Sequence, residues 1–513
     1  MTFFESLLIL LLTAVGLLQV ARRVALPYPA MLAVAGMAVA FVPGAPTIRI
    51  DPALALALFI APALLDAAYD FPIRAAGALW RSLLVLAAGA VLATAAAVAF
   101  IGWWAAGLPI AAALVLGAIV APPDAAAAVA VLGTVSLPRR SAGVLKGESL
   151  FNDAVALLLF DGALTIQARG GLDGAAALHL AAAVPGGIVL GIAFGFAMRR
   201  LGRLVGNTLG GTVLQFLNTF LVWIVAERLH LSAVLAVVAC AMTVARPSAA
   251  GSSPRMRVHS FAVWASVVFG LNVLAFLLMG MQARAIVGSL PADRLWEAGR
   301  VAGLVILAVV ATRFAVVMAW NRLAARFAAL RGGLPPPTLG QGIVVAWSGM
   351  RGLVTLATAF ALPDDFPQRD VVVLTAFGVV LATLVLQGFT LAPLIRRLGL
   401  DRMEDPESVL AEARRALARV GLDRIEASGA RGDMTLGDLY RATNATPPAP
   451  EARERLWAHR RLGLAVVEAQ RRALERLRDE GRVGADVYYL LQEEIDWREL
   501  TLLPDDERRI DEV

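Results

Sequence analysis

The chain has 513 residues, 59% of them hydrophobic and 17% charged, with a formal net charge of +6. A soluble protein carries about a quarter charged residues, so a water-soluble globule is excluded for most of this length. One cysteine, Cys240, excludes an internal disulfide framework. The basic balance points less to nucleic acid than to arginine-rich loops on one side of a membrane.

The opening stretch, MTFFESLLILLLTAVGLLQVARR, lacks a basic n-region and a small-residue cleavage site, and reads as a retained first span. Apolar segments then recur at 3–20, 26–43, 52–68, 80–101, 108–132, 144–167, 176–198, 211–228, 231–246, 258–281, 297–319, 340–361 and 371–395. Runs of this kind are long enough to cross a bilayer. The expected fold is an all-α polytopic membrane protein of about thirteen transmembrane helices. Loops after odd-numbered segments hold Arg22 and Arg23, Arg74 and Arg81, LPRRSAGVLK, MRRLGRL, NRLAARFAALRGG and IRRLGLDR, and are richer in arginine than the others. Those loops should face the cytoplasm, with the N-terminus outside and the C-terminus inside the cell membrane. Residues 1–400 thus form a transmembrane domain. Residues 401–513 form a small helical cytoplasmic tail, where apolar residues recur three and four apart among charges.

Ionisable groups at membrane depth are costly and point to function. The fifth segment, LGAIVAPPDAAAAVAVLG, contains Pro122 and Pro123 before Asp124. Two prolines remove two backbone donors and break the helix. A carboxylate beside freed carbonyls suits a hard cation; the competing reading is a kinked helix with a satisfied aspartate. The sixth segment opens KGESLFNDAVALLLF. On a helix Glu148 and Asn152 are neighbours one turn apart, as are Ser149 and Asp153. A segment beginning near Val144 carries Asp153 about 13–15 Å inward, too deep for a simple capped N-terminus. The twelfth segment, GIVVAWSGMRGLVTLATAF, is interrupted around Arg351. Paired interruptions in two halves point to inverted repeats with two broken, crossing helices and a site near the midplane. Arg351 keeps its proton and needs a carboxylate; Glu148 is the expected partner, which leaves Asp124 and Asp153 for a movable ion. Arg313 either pairs with an acid or snorkels to an interface. Asp161 lies about two turns beyond Asp153 on one face, with no assigned role. Asn272 reads as an interhelical hydrogen bonder.

A proton and a small cation compete for carboxylate oxygens. If the empty, charged site cannot reorient in the membrane, only loaded forms cross, and competition becomes obligate exchange. At these residues the chain resembles the monovalent cation/proton antiporter family that includes the sodium/proton exchangers. GESLFNDAVALLLF is similar to that family's acidic helix, APPDAAAAVAVLG to its broken helix, and SGMRGLVTLA to its arginine-bearing twelfth helix. AERLHLSAVLAVVACAM, FGLNVLAFLLMG and the tail stretch EAQRRALERLRDEGRVGADVYYLLQEEIDWREL also fit.

The resemblance implies that Asp153 is the main ion- and proton-binding carboxylate, with Asp124 and Ser149 completing a monovalent cation site. It implies a structural Glu148–Arg351 pair, and electroneutral exchange because Asn152 stands where electrogenic relatives carry aspartate. It also implies a homodimer. Pro123 departs from the family's usual threonine, so coordination detail and ion preference are open there. The leading function is Na+ (or Li+) for H+ antiport by alternating access, with no cofactor, no enzymatic activity and no nucleic-acid partner. The alternatives are K+/H+ antiport, a sodium-coupled symporter and a membrane sensor. The histidines His179, His230, His259 and His459 offer no catalytic pairing for a membrane enzyme.

Overall fold

The computed structural model describes residues 3–503 except 25–26, 43–50, 70, 72, 125–126, 129–136, 172, 206–207, 246–252, 289–291, 332–334, 403–405 and 429–449. It is all-helical, with no β-strand among the described residues. In chain order the helices are α1 (Phe3–Val24), α2 (Tyr28–Ala40), α3 (Pro52–Tyr69), α4 (Leu79–Ala106), α5 (Ile110–Val120), α6 (Arg139–Arg169), α7 (Gly174–Val205), α8 (Leu209–Arg228) and α9 (Ala233–Val244). They continue with α10 (Pro254–Met281), α11 (Ala292–Arg326), α12 (Leu339–Trp347), α13 (Leu353–Phe360), α14 (Arg369–Arg397), α15 (Pro406–Ala427), α16 (Pro450–Asp479) and α17 (Ala485–Leu502).

Eight stretches among the described residues have the length and hydropathy of a membrane span, and four shorter apolar helices, among them α2, α5 and α9, accompany them. The count of thirteen spans is not reached: α2 and α9 are short, and the twelfth expected segment is split into α12 and α13. The helices' outward side chains are apolar: Leu12 is 65% exposed, Leu178 72% and Leu307 66%. In water that pattern would be a liability; against lipid it is the ordinary surface.

The chain divides into two compact units. The first comprises Met1–Arg200, Gln215–Arg246 and Ala265–Glu404. Its helices approach closely where glycine removes the side chain. Gly187, Gly191 and Gly195 recur every fourth residue on α7 and lie against the backbone or side chains of Ser232, Ala236 and Thr243. On α2 and α10, Gly36 meets the Leu277 carbonyl and Gly280 the Ala33 carbonyl. Small residues at such spacing are how helices pack when lipid supplies no hydrophobic drive between them.

The second unit comprises Leu201–Leu214, Pro247–Trp264 and Asp405–Val513. Here α15, α16 and α17 bury Leu417, Leu474, Leu491 and Ile495 between them. Arg257 at the start of α10 and Arg471 of α16 converge on Asp496 of α17, at 2.6 and 2.7 Å. Glu499 joins both arginines. Phe261 stacks on Tyr489 with ring centroids 5.2 Å apart. The tail is therefore a packed helical unit that includes the first turns of α10.

Candidate functional site

The two interruptions meet. Helix α5 ends at Val120, and after Ala121, Pro122 and Pro123 the Asp124 backbone N–H donates to Met350 O at 2.6 Å. Met350 lies in the gap between α12 and α13. The Asp124 carboxylate accepts from the Leu353 N–H at 3.2 Å, at the first turn of α13, and from the Ala127 N–H at 3.4 Å. A carboxylate is stabilised at helix N-termini, where backbone N–H groups are unpaired and the helix dipole is positive. Gly352 makes this approach possible: a Cβ there would overlap the Asp124 carboxylate.

Arg351 does the complementary work at the opposite helix ends. It is 1% exposed. Its Nε donates to Val120 O and its Nη2 to Ala121 O, both at 3.0 Å, at the C-terminus of α5. Its Nη1 donates to Gly349 O, just beyond the C-terminus of α12. The Arg351 backbone N–H donates to Thr383 Oγ1 at 3.0 Å. Thr383 begins a π-helical turn in α14, Thr383–Gln387, and itself donates to Val379 O at 2.8 Å. Each helix C-terminus carries roughly half a negative charge, so two of them together offset about one guanidinium.

This arrangement corrects the expected Glu148–Arg351 pair. Glu148 of α6 is 1% exposed, and the arginine on it is Arg313 of α11: Nη1 donates to Oε1 at 2.6 Å and Nη2 to Oε2 at 3.0 Å. Arg313 also donates to Val345 O of α12 at 3.2 Å. The fork of the guanidinium matches both carboxylate oxygens. Arg351 needs no carboxylate because broken helices expose carbonyls, which the sequence argument had reserved for a cation. Of the two alternatives for Arg313, pairing is the one realised.

One turn further along α6, Asn152 is fully buried and its Nδ2 donates to Pro123 O at 2.7 Å. The carbonyl can only accept, which fixes the amide orientation and leaves Oδ1 buried without a hydrogen-bond partner. Pro123 therefore serves through its carbonyl, a role its missing N–H does not touch. Ser149 donates to Lys146 O at 2.9 Å, which leaves its oxygen lone pairs free. Asp153 follows one turn after Ser149, half-buried, and its carboxylate has no hydrogen-bond partner among the described residues. It lies within electrostatic range of Asp124. Asn152 thus touches the crossing through Pro123, Asp153 lies within electrostatic range of Asp124, and Ser149 sits one turn before Asp153 on α6. Asp161 does not join them: it is exposed and interacts with Glu227 and His230. Thr383 was absent from the sequence argument; a threonine inside an apolar run carries no signal that it holds a backbone break on another helix.

Residues 7–397 match the family described as sodium/hydrogen exchanger, transmembrane. The chain belongs to that family. It is 30% identical to an uncharacterised Na+/H+ exchanger of Mycobacterium bovis over 93% of this chain and 92% of the relative. It is 27% identical to the sodium, potassium, lithium and rubidium/H+ antiporter of Bacillus pumilus over 91% of this chain and 73% of that one. Its fold is similar to that of the sodium proton antiporter MjNhaP1 from Methanocaldococcus jannaschii, with a TM-score of 0.58 and 17% identity over 78% of this chain and 99% of the other.

Proposed function

We propose that the protein exchanges Na+ or Li+ for H+, one for one, by alternating access. The observation that carries this reading is the Asp153 carboxylate, left without a hydrogen bond beside Asp124, the Ser149 oxygen and the orphaned Asn152 Oδ1. Hard monovalent cations prefer such oxygens, and a proton on either carboxylate removes the charge that holds the cation. Asp153 is the group that alternates between proton and ion. Asp124 divides its oxygens among the N-terminus of α13, the Ala127 N–H and the ion, so a rearrangement of the crossing alters the site directly. Glu148 and Arg313 neutralise one another and Arg351 is neutralised by helix ends, so neither arginine competes for the ion. Asn152 adds an oxygen without a second titrating charge, which supports one-for-one exchange.

The protein sits in the cell membrane as a homodimer, with residues 1–400 in the bilayer, 401–513 in the cytoplasm and the N-terminus outside; the arginine-rich loops and the family resemblance support this. The test uses proteoliposomes with a trapped pH dye, an imposed proton gradient, and sodium, lithium or potassium added in turn with the membrane potential clamped. Proton efflux driven by sodium and indifferent to the potential is the expected result. A response to potassium alone replaces the ion; a response that follows the potential overturns the stoichiometry.

A further inference from the structure

Away from the crossing, three arginines of the first unit gather on the connection between α11 and α12, none of them in an ion pair with a described residue. Arg81 of α4 donates through Nη1 to Ala329 O, and Arg140 at the start of α6 donates through Nη1 to Pro335 O. Both therefore tie down the connection between α11 and α12. Arg331, in the short turn Ala328–Arg331 on that connection, has its Nε buried and without a hydrogen-bond partner. Arg140 and Arg331 interact electrostatically, and the interaction is repulsive. None of the three forms an ion pair with a described residue. The sequence offers little else: residues 71–123, 125–147 and 298–363 contain no aspartate or glutamate at all. Like charges gathered without a paired acid are destabilising unless an anion lies between them.

A cavity opens beside the cluster, lined by Ser82, Arg140, Ser141, Trp320, Asn321 and Gln341 among others. Ser141 is 3% exposed, and its hydroxyl has no hydrogen-bond partner among the described residues. Ser82 is 5% exposed and accepts from Trp320 Nε1 at 3.2 Å, which leaves its own O–H to donate. Guanidinium groups and hydroxyl donors are what a phosphate oxygen seeks. The surroundings favour a lipid source. Trp80 is 53% exposed, with the Arg81 guanidinium 5.2 Å above its ring, and Leu84 one turn on is 58% exposed. Tryptophan beside arginine marks the headgroup level of a bilayer.

We infer that Arg140 and Arg331, with Arg81, Ser82 and Ser141, bind a phosphate group, that of an anionic phospholipid headgroup. The site has a route to the transport machinery. The connection it pins leads into the Thr338–Gln341 capping box that opens α12, the first half of the second broken helix. An occupied site holds that half-helix in place; this consequence rests on the antiport reading, whereas the binding does not.

Native mass spectrometry of the purified full chain in detergent tests the binding itself, with phosphatidylglycerol, phosphatidylcholine and inorganic phosphate offered in turn. The wild type is expected to retain phosphatidylglycerol in preference to phosphatidylcholine. The Arg140→Gln/Arg331→Gln variant should lose about thirtyfold of that retention, about fivefold for each arginine near a membrane surface. Arg140→Lys/Arg331→Lys should recover part of it. Equal retention by wild type and Gln variant, combined with stabilisation by inorganic phosphate of the wild type alone, keeps the phosphate site but overturns its lipid source. Equal behaviour of the two proteins toward all three probes overturns the site. If the Gln variant does not fold, Ser141→Ala serves instead: reduced retention supports the site and unchanged retention overturns it.

Discussion

Asp153 is the residue proposed to carry the transported ion and proton, and its surroundings separate loss of function from loss of fold. Its carboxylate makes no hydrogen bond to a described residue, so Asp153→Asn removes a charge without orphaning a partner. That variant should insert and fold but show no exchange in proteoliposomes. A binding ion stabilises the fold by about 2.7 kcal/mol at a hundred times its dissociation constant; sodium should produce that thermal shift in the wild type and none in Asp153→Asn. The two buried arginines behave differently from it and from each other. Arg313→Ala strands Glu148, which is 1% exposed, and breaking a buried pair from one side costs about 3–5 kcal/mol. Arg351→Ala breaks no hydrogen bond to a carboxylate and instead uncaps the carbonyls of Val120, Ala121 and Gly349. Adding Glu148→Gln to each variant distinguishes them: the thermal stability lost in Arg313→Ala should recover in part, and that lost in Arg351→Ala should not. The presence of buried charges was legible from Glu148, Arg313 and Arg351 each interrupting an apolar run. Their matching was not, because the partners lie 165 positions apart and nothing local says which helix faces α6.

At the scale of elements, the crossing works because opposite helix ends receive opposite charges: Asp124 at an N-terminus, Arg351 at two C-termini. The prolines before Asp124 and the glycines around Arg351 announce broken helices in the sequence, since one residue type removes donors and the other side chains. The π-helical turn that lends Thr383 to the break announces nothing, because its residues, TLVLQ, suit an ordinary helix. Gly352→Ala places a methyl group in the Asp124 carboxylate; exchange should fall to background while the protein still inserts, measured by dye-loaded vesicles and size-exclusion profile. The tail has its own fastening. Arg257→Ala removes one of the two arginines on Asp496, which is 2% exposed, but leaves Arg471. A loss of about 1–3 kcal/mol, the cost of a buried charged group losing one hydrogen-bonding partner, should appear as faster limited proteolysis within 405–503.

For the whole molecule, the proposed competition between proton and cation at shared oxygens makes a quantitative demand. Raising sodium should shift the half-maximal proton concentration upward in step, measured as initial exchange rates across a matrix of pH and sodium; independence of the two would separate the proton site from the cation site. Composition and residue spacing alone give the environment, the helical class and the chemistry on offer. Hydropathy and charge are sums over local residues, and in lipid a backbone that must satisfy its own hydrogen bonds has few alternatives to the helix. They also single out Asp124, Ser149, Asn152 and Asp153, because a carboxylate, hydroxyl or amide in an apolar run stands out whatever it later touches. Helix packing settles which ends of which half-helices meet, that Arg313 rather than Arg351 holds Glu148, that Asp161 stands with Glu227 and His230, and that three arginines gather on one connection with no ion pair to a described residue. Those are outcomes of helix packing, set by where glycines let backbones approach, and contacts between segments hundreds of residues apart leave no mark on the spacing of residues within either one.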